Sequence, residues 1–175
     1  MPGEICDKMV AFYDERPESH RPGRVRLGHD PDIKDSMDMN INYDVVEPPL
    51  DEYIPHLNHT LHSYLNRYEW AGKMYAFGLT KNYNIQKYPV GGGFKQWHNE
   101  RAGAGEVSTR ILVWMTYLND VPDGGTEFYY QDLYCPAEKG LTLIWPTDWT
   151  HTHRGRVSHT QEKYVITGWF NFLET

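Results

Sequence analysis

The chain has 175 residues, of which 39% are hydrophobic, so it can bury one sizeable core, and its length predicts a single domain spanning residues 1–175. Its formal net charge of −7 argues against binding to a nucleic-acid backbone, which requires a cationic surface. No apolar run approaches the roughly 18 residues of a membrane span, the N-terminus lacks a secretion signal, and the distant Cys6 and Cys135 indicate a reducing compartment, so we expect a cytoplasmic protein.

The first predicted element is a short amphipathic helix over residues 4–15. Its apolar side chains recur at three-and-four spacing: Ile5, Met9, Phe12 and Tyr13. Residues 16–49 are rich in Pro, Gly, Asp and Asn without a sustained period, which predicts connecting structure with one strand near residues 37–41. The basic stretch 21–26 within this segment is interpreted as solvated surface.

A second and stronger helix is predicted over residues 50–68. Apolar residues again recur at three-and-four spacing, with Asp51 as the expected N-cap and Pro55 near the tolerated first turn. Three histidines also fall on this helix: His56, His59 and His62. Because no suitably placed carboxylate accompanies them, we assign them to its solvated face.

After Trp70 the sequence changes to short β-rich runs separated by turn residues. The predicted strands are residues 84–90, 110–118, 126–130, 141–145 and 164–172. Helices followed by strands predict an α+β, mainly β architecture. We expect a jelly-roll (double-stranded β-helix) core over about residues 71–175, with a helical part over about residues 1–70 packed on one face.

A candidate metal motif lies just beyond the first of these strands, in Gln96-Trp97-His98-Asn99-Glu100. In extended chain His98 and Glu100 point to the same face, so both can approach one ion. A second imidazole would complete a two-His, one-carboxylate set, and His153 is the candidate. Such a set leaves coordination positions open, as iron(II) oxygen chemistry requires, whereas a structural zinc site uses four protein ligands.

From about Tyr88 to Phe170 the sequence resembles the prolyl 4-hydroxylase type of iron(II) and 2-oxoglutarate oxygenase, including the hypoxia-sensing prolyl hydroxylases. The matching motifs occur in the family's order: Tyr88-Pro-Val-Gly-Gly-Gly-Phe-Lys-Gln-Trp-His98, Tyr117-Leu-Asn119, Asp123-Gly-Gly-Thr126, Pro136-Ala-Glu-Lys-Gly140, Leu141-Thr-Leu-Ile-Trp-Pro146, His153-Arg-Gly and Lys163-Tyr-Val-Ile-Thr-Gly-Trp169. The family usually carries His-X-Asp, so Glu100 is a departure from its pattern.

The resemblance also implies roles for individual residues. His153 and Lys163 stand ten residues apart, as do the family's distal histidine and the basic residue that binds the far carboxylate of 2-oxoglutarate. This interval favours His153 over His151 and His159 as the third ligand. Tyr117 would add a hydroxyl donor to the cosubstrate, whereas Tyr88 and Thr167 either line its pocket or only pack in strands.

The implied function is hydroxylation of an unactivated C–H bond with iron(II), 2-oxoglutarate and dioxygen, and with ascorbate as an optional reductant. By family likeness the substrate is a prolyl residue in a peptide or protein, and a free amino acid or other small molecule is the alternative. Two other hypotheses remain at this point. One is a non-catalytic jelly-roll binding module, and the other is a cupin-like zinc or manganese enzyme.

Overall fold

The computed structural model describes residues 1–25, 28–73 and 75–173. The described helices are α1 (Gly3–Asp14), α2 (Leu50–Arg67) and α3 (Trp70–Lys73), with short 3-10 turns at Pro17–Ser19, Glu106–Thr109 and Trp149–His151. The described strands are β1 (His20–Pro22), β2 (Lys34–Asp35), β3 (Met37–Ile41), β4 (Phe77–Gly78), β5 (Tyr83–Tyr88), β6 (Gly93–Phe94), β7 (Arg110–Tyr117), β8 (Val121–Phe128), β9 (Leu133–Ala137), β10 (Thr142–Pro146), β11 (His153–Gly155) and β12 (Lys163–Phe172).

Antiparallel pairing arranges these strands in two main sheets. The larger sheet has the order β1-β3-β5-β12-β7-β10, with β4 paired to the end of β12. The smaller sheet has the order β11-β8-β9, and β2 pairs with β6 in a separate ladder. The predicted α+β, mainly β jelly-roll with N-terminal helices is confirmed. The first 70 residues also contribute β1 and β3 to the larger sheet.

The larger sheet has two different faces, and β12 shows why. Successive side chains of a strand point to opposite sides. One set packs into the hydrophobic core under the helices: Tyr164, Ile166 and Phe170. The other set lines a large cavity: Lys163, Val165, Thr167 and Trp169. One strand therefore supplies both the core and the candidate site.

The core between the sheet and the helices is built from the apolar faces of α1 and α2. Leu50, Tyr53 and Leu57 of α2 are completely buried, and the Tyr53 hydroxyl lies 2.7 Å from the hydroxyl of Thr116 on β7. Burying one leucine side chain stabilises a fold by roughly 1.5–3 kcal/mol. The helices therefore pack on one face of the larger sheet, and the opposite face lines the cavity.

The second helix differs from its prediction at its start. Pro49 occupies the N-cap position and no side chain caps the helix, so the prediction of Asp51 as N-cap was wrong; Asp51 lies in the first turn instead. There its charge is favourable next to the positive end of the helix dipole. Pro55 lies inside the helix rather than in its first turn, where it removes one backbone hydrogen bond.

The strand predicted near residues 37–41 is present as β3, and the five strands predicted after Trp70 are present with shifted ends. The largest shift is in β8, which begins at Val121 rather than near residue 126 and carries a register shift between Val121 and Thr126. β9 was not predicted. It contains Pro136, which an edge strand tolerates because one side of its backbone needs no partner. In the described ranges, the structure has no helix long and apolar enough to cross a membrane.

Candidate metal centre

The two candidate histidines face each other across a backbone pair. His98 lies just after β6, and His153 is the first residue of β11. The amide of His98 donates to the carbonyl of His153 at 3.0 Å, and the amide of His153 donates to the carbonyl of His98 at 2.9 Å. The backbone therefore sets the spacing of the two imidazoles, whose ring centroids are 4.4 Å apart.

Glu100 completes the cluster. Its Oε1 is 3.4 Å from Nε2 of His98 and 3.6 Å from Nε2 of His153. Among the residues that the structure describes, these three form the one group of His, Cys, Asp and Glu side chains close enough to share a metal ion.

The donor set fits iron(II). Two imidazole nitrogens and one carboxylate oxygen are the ligands of non-haem iron oxygenase sites. Ligands bound to one ion in neighbouring octahedral positions stand about 3 Å apart, so the distances of 3.4 and 3.6 Å from Glu100 to the two histidines need only a small contraction. Nδ1 of His98 lies 2.9 Å from the carbonyl of Gln96, and Nδ1 of His153 lies 2.8 Å from the carbonyl of His151. Because a carbonyl only accepts, Nδ1 of each ring donates its hydrogen there, and Nε2 is the nitrogen that faces the metal position. Metal binding would displace the proton that Nε2 shares with Glu100 in the metal-free protein.

The electrostatics keep Glu100 ionised. Burial would raise its pKa, but hydrogen bonding and charge from His153 and His98 outweigh burial and hold the pKa well below the usual range. A carboxylate must be ionised to bind a metal. Glu100 is therefore in the form that a ligand requires.

Arg110 holds the second oxygen of Glu100, a contact that the sequence analysis missed. Nη1 of Arg110 lies 3.3 Å from Oε2 and 3.1 Å from the main-chain oxygen of Glu100. The Arg110 guanidinium also lies 3.4 Å above the ring of Trp169. Because Arg110 occupies Oε2, Oε1 is the oxygen presented to the histidines. The longer glutamate is thereby held at both ends.

A bulge explains why strand periodicity could not reveal Arg110. Leu112 points to the helix side of the sheet, so strict alternation would also turn Arg110 to that side. The register shifts between Phe170 and Asn171 on β12, where Leu112 and Arg110 of β7 are their successive partners. Ile111 is the extra residue, and it re-aims Arg110 into the cavity.

Lys163 lies in the same cavity as a buried cation. It is 4% exposed, and its Nζ donates to the carbonyls of Gly124 at 2.7 Å and Arg156 at 2.8 Å. An ammonium has three donors, so one remains after these two bonds. Burial lowers the pKa of Lys163 to about 8. A buried ammonium bonded to neutral carbonyls is suited to an anionic ligand.

The remaining predicted residues line the same cavity as Lys163. The Tyr88 ring centroid is 5.2 Å from Nζ of Lys163, and the Tyr88 hydroxyl donates to Gln86 at 2.7 Å. The Tyr117 and Thr126 hydroxyls are 2.5 Å apart. Burial raises the pKa of both tyrosines, so both stay neutral donors.

Thr167 donates its hydroxyl to the carbonyl of Trp114 at 2.9 Å and so is satisfied by the sheet. The structure brings all seven predicted side chains into one cavity of about 1230 Å³: Tyr88, His98, Glu100, Tyr117, His153, Lys163 and Thr167. The histidines of α2, His56, His59 and His62, are exposed, as expected.

Residues 83–171, just over half of the chain, match the model of the 2OG-Fe(II) oxygenase superfamily. The chain belongs to this family. It is a 2-oxoglutarate-dependent dioxygenase that uses iron(II), 2-oxoglutarate and dioxygen, as the resemblance implied. No curated protein matches its sequence significantly.

Solved prolyl hydroxylases share the fold. A Pseudomonas putida prolyl-4-hydroxylase superposes with a TM-score of 0.73 at 17% identity, covering 99% of this chain and 89% of that one. A prolyl hydroxylase from Trichoplax adhaerens, in complex with a hypoxia inducible factor peptide fragment, gives 0.72 at 17% identity, covering 96% and 76%. The viral collagen prolyl hydroxylase of Paramecium Bursaria Chlorella virus-1, as a 2OG complex, gives 0.70 at 14% identity, covering 99% and 92%. At these identities the likeness establishes the fold.

Proposed function

We propose that this dioxygenase hydroxylates a prolyl residue in a peptide or protein. The observation that carries the proposal is the cavity, which is lined by His98, Glu100, His153 and Lys163 and has a volume of about 1230 Å³. Ligand pockets are commonly about 300–1,000 Å³, so this one has room for a peptide segment beside the cosubstrate. The fold shared with prolyl hydroxylases supports the choice of proline.

In this proposal His98, Glu100 and His153 hold the iron, and Lys163 binds the far carboxylate of 2-oxoglutarate. The chemistry that the bound metal supplies is oxidative decarboxylation of 2-oxoglutarate to succinate and carbon dioxide, coupled to insertion of one oxygen atom into a C–H bond. The Nδ1 bonds of the histidines orient their rings. Arg110 orients Glu100 through Oε2.

Three residues with hydroxyl groups line the proposed cosubstrate site: Tyr88, Tyr117 and Thr167. Tyr117 lines the same cavity with its hydroxyl on that of Thr126, and the Tyr88 ring lies 5.2 Å from the Lys163 ammonium. Thr167 supports the wall of the pocket through the carbonyl of Trp114. We also propose that residues 1–175 act as one domain, because α1 and α2 pack on the reverse face of the sheet that lines the cavity.

The metal and cosubstrate assignment is tested by anaerobic titration. Iron(II) and 2-oxoglutarate are added to the protein while the visible charge-transfer band of a chelated keto acid is followed. The band is expected for the wild type and for His159→Ala, whose exposed side chain lies outside the cavity. His153→Ala is expected to lose it. A full band in His153→Ala would contradict the assignment.

The substrate class is tested by mass spectrometry. Proline-containing peptides are incubated with the enzyme, iron(II), 2-oxoglutarate and oxygen, and a gain of one oxygen atom on proline is expected with one succinate per hydroxylation. A free amino acid hydroxylated in preference to every peptide would contradict the proposal. The charge-transfer titration would be unaffected by that outcome.

A further inference from the structure

The cavity is cationic although the chain carries a net charge of −7. Among the described residues, six cationic side chains line it: Arg21, Arg24, Lys34, Arg101, Arg110 and Lys163. Two carboxylates oppose them, Asp38 and Glu100. The side chains that line this cavity therefore carry a net positive charge, whereas the protein as a whole carries a net negative charge.

Three of the six cations have a partner or a role inside the site. Nζ of Lys34 lies 2.5 Å from Oδ2 of Asp38. Arg110 is engaged with Glu100. Lys163 is the proposed anchor of the cosubstrate. This pairing consumes both carboxylates and leaves three arginines.

The three remaining arginines come from two separate segments. Nη1 of Arg21 donates to the carbonyls of Glu18 at 2.6 Å and His20 at 2.7 Å, which fix the guanidinium without cancelling its charge. Arg24 is exposed at the cavity rim. Arg101, next to Glu100, forms a long ion pair with Asp148 at 3.6 Å and lies 5.6 Å from the centroid of the Phe172 ring. Within the described ranges Arg21 and Arg24 have no acidic partner, and the long ion pair of Arg101 compensates its charge only in part.

Resting on the proposed function, we propose that the substrate of this enzyme is an acidic peptide segment, in which aspartate or glutamate side chains flank the target proline and bind Arg21, Arg24 and Arg101. Guanidinium groups pair with carboxylates through parallel hydrogen bonds. A cleft lined by one sign of charge also steers an oppositely charged ligand into it. Free carboxylic acids share this chemistry, and the test separates them from peptides.

The probes are three peptides with a central Ala-Pro-Ala, flanked on each side by three Glu, three Gln or three Lys residues. Their binding to the anaerobic enzyme with iron(II) and 2-oxoglutarate is measured by calorimetry, and their hydroxylation by mass spectrometry. Exposed ion pairs each contribute only a few-fold, so three predict about tenfold tighter binding of the Glu peptide than of the Gln peptide at low salt. Because screening is nearly complete at 1 M salt, the preference should shrink to about threefold or less there.

Charge-reversal variants distinguish binding at this cavity from non-specific binding of charged peptides. In Arg21→Glu/Arg24→Glu the preference is expected to invert, so that the Lys peptide binds more tightly than the Glu peptide. This gain of binding cannot come from a misfolded variant. The matched control is Arg67→Glu/Lys81→Glu, which makes the same change in net charge at residues that do not line the cavity. The control should keep the preference for the Glu peptide.

Each outcome decides one claim. Equal binding of the three peptides by the wild type, or inversion in the control as well, overturns the acidic substrate while leaving prolyl hydroxylation standing. Free glutamate binding as tightly as the Glu peptide shows that a small acid is the ligand and overturns the peptide. A Glu preference in binding with no hydroxylated proline supports the acidic ligand and rejects the proposed function.

Discussion

Replacing Lys163 by methionine is expected to stabilise the ligand-free protein while removing 2-oxoglutarate binding. The reason is that Lys163 is buried as a cation with two neutral carbonyl partners. Methionine fills similar space without a charge. Lys163→Arg, which keeps the charge, is the matched control.

The magnitude follows from the pKa of Lys163. Burial lowers it from 10.5 to about 8, and a difference of about 2.5 units corresponds to about 3 kcal/mol against the charged form. The variant also loses two hydrogen bonds worth about 1 kcal/mol each. A net gain of about 1 kcal/mol remains, which raises the Tm of a chain this size by roughly 2–4 °C. Removing one partner of a buried charge pair costs about 3–5 kcal/mol, so the affinity for 2-oxoglutarate should fall by roughly 10²- to 10⁴-fold.

The stability difference should depend on pH in one direction. Below about pH 8 Lys163 is protonated in both the folded and the unfolded wild type, so the folded protein bears the full free-energy cost of burying the charge. Between about pH 8 and 10.5 the unfolded chain binds more protons than the folded one, so wild-type stability rises with pH and the advantage of the variant disappears.

Thermal unfolding of metal-free protein across this pH range, with the anaerobic charge-transfer titration, measures both effects. A Lys163→Met protein that unfolds below the wild-type temperature at pH 7 would refute the desolvation argument. A loss of less than tenfold in 2-oxoglutarate affinity would refute the role of Lys163 as anchor.

Three further predictions concern other parts of the molecule. In the wild type the affinity for 2-oxoglutarate should fall above about pH 8 as Lys163 loses its proton, whereas Lys163→Arg should show no such fall in the same titration. Arg110→Gln should weaken iron(II) binding about 10- to 100-fold by freeing Oε2 of Glu100, with partial recovery in Arg110→Lys; equal affinity of all three proteins would rule out the contact. Leu57→Ala should destabilise the fold by about 2–5 kcal/mol in urea unfolding yet keep the charge-transfer band, because Leu57 lies on the helix side of the sheet.

The spacing of apolar residues was sufficient to predict the helices and strands that bury one face. The α2 helix and the strands β5, β7, β10 and β12 have alternating or three-and-four apolar patterns, and each was predicted within a few residues. The His98, Glu100 and His153 cluster was also anticipated, because the motif spacing resembled a known family. What the sequence lacked was the backbone bond between His98 and His153, which joins segments 55 residues apart.

The missed features depend on local irregularity or on long-range contacts. A bulge at Ile111 turns the Arg110 side chain into the cavity. A bulge interrupts the alternation of side chains along a strand, from which the side of the sheet that a residue faces is predicted. Arg21 and Arg24 lie in a segment without a period and were interpreted as solvated surface; both are exposed, but their place in the cavity lining was not predicted. Arg26 of the same basic stretch lies outside the described residues. β6 and β11 are too short for a pattern, although His98 follows β6 and His153 is the first residue of β11.

The reciprocal amide bonds between His98 and His153 have a consequence for how the enzyme is supplied with metal. In zinc fingers the ion assembles its own ligands, so losing the ion means losing the fold. Here main-chain bonding holds the two imidazoles in register beforehand, so a chelator should empty the centre while leaving the protein intact. Iron can then return without any refolding. The fraction of working molecules at any moment would be set by the concentration of free iron, and the protein would persist as a reusable scaffold between successive loadings.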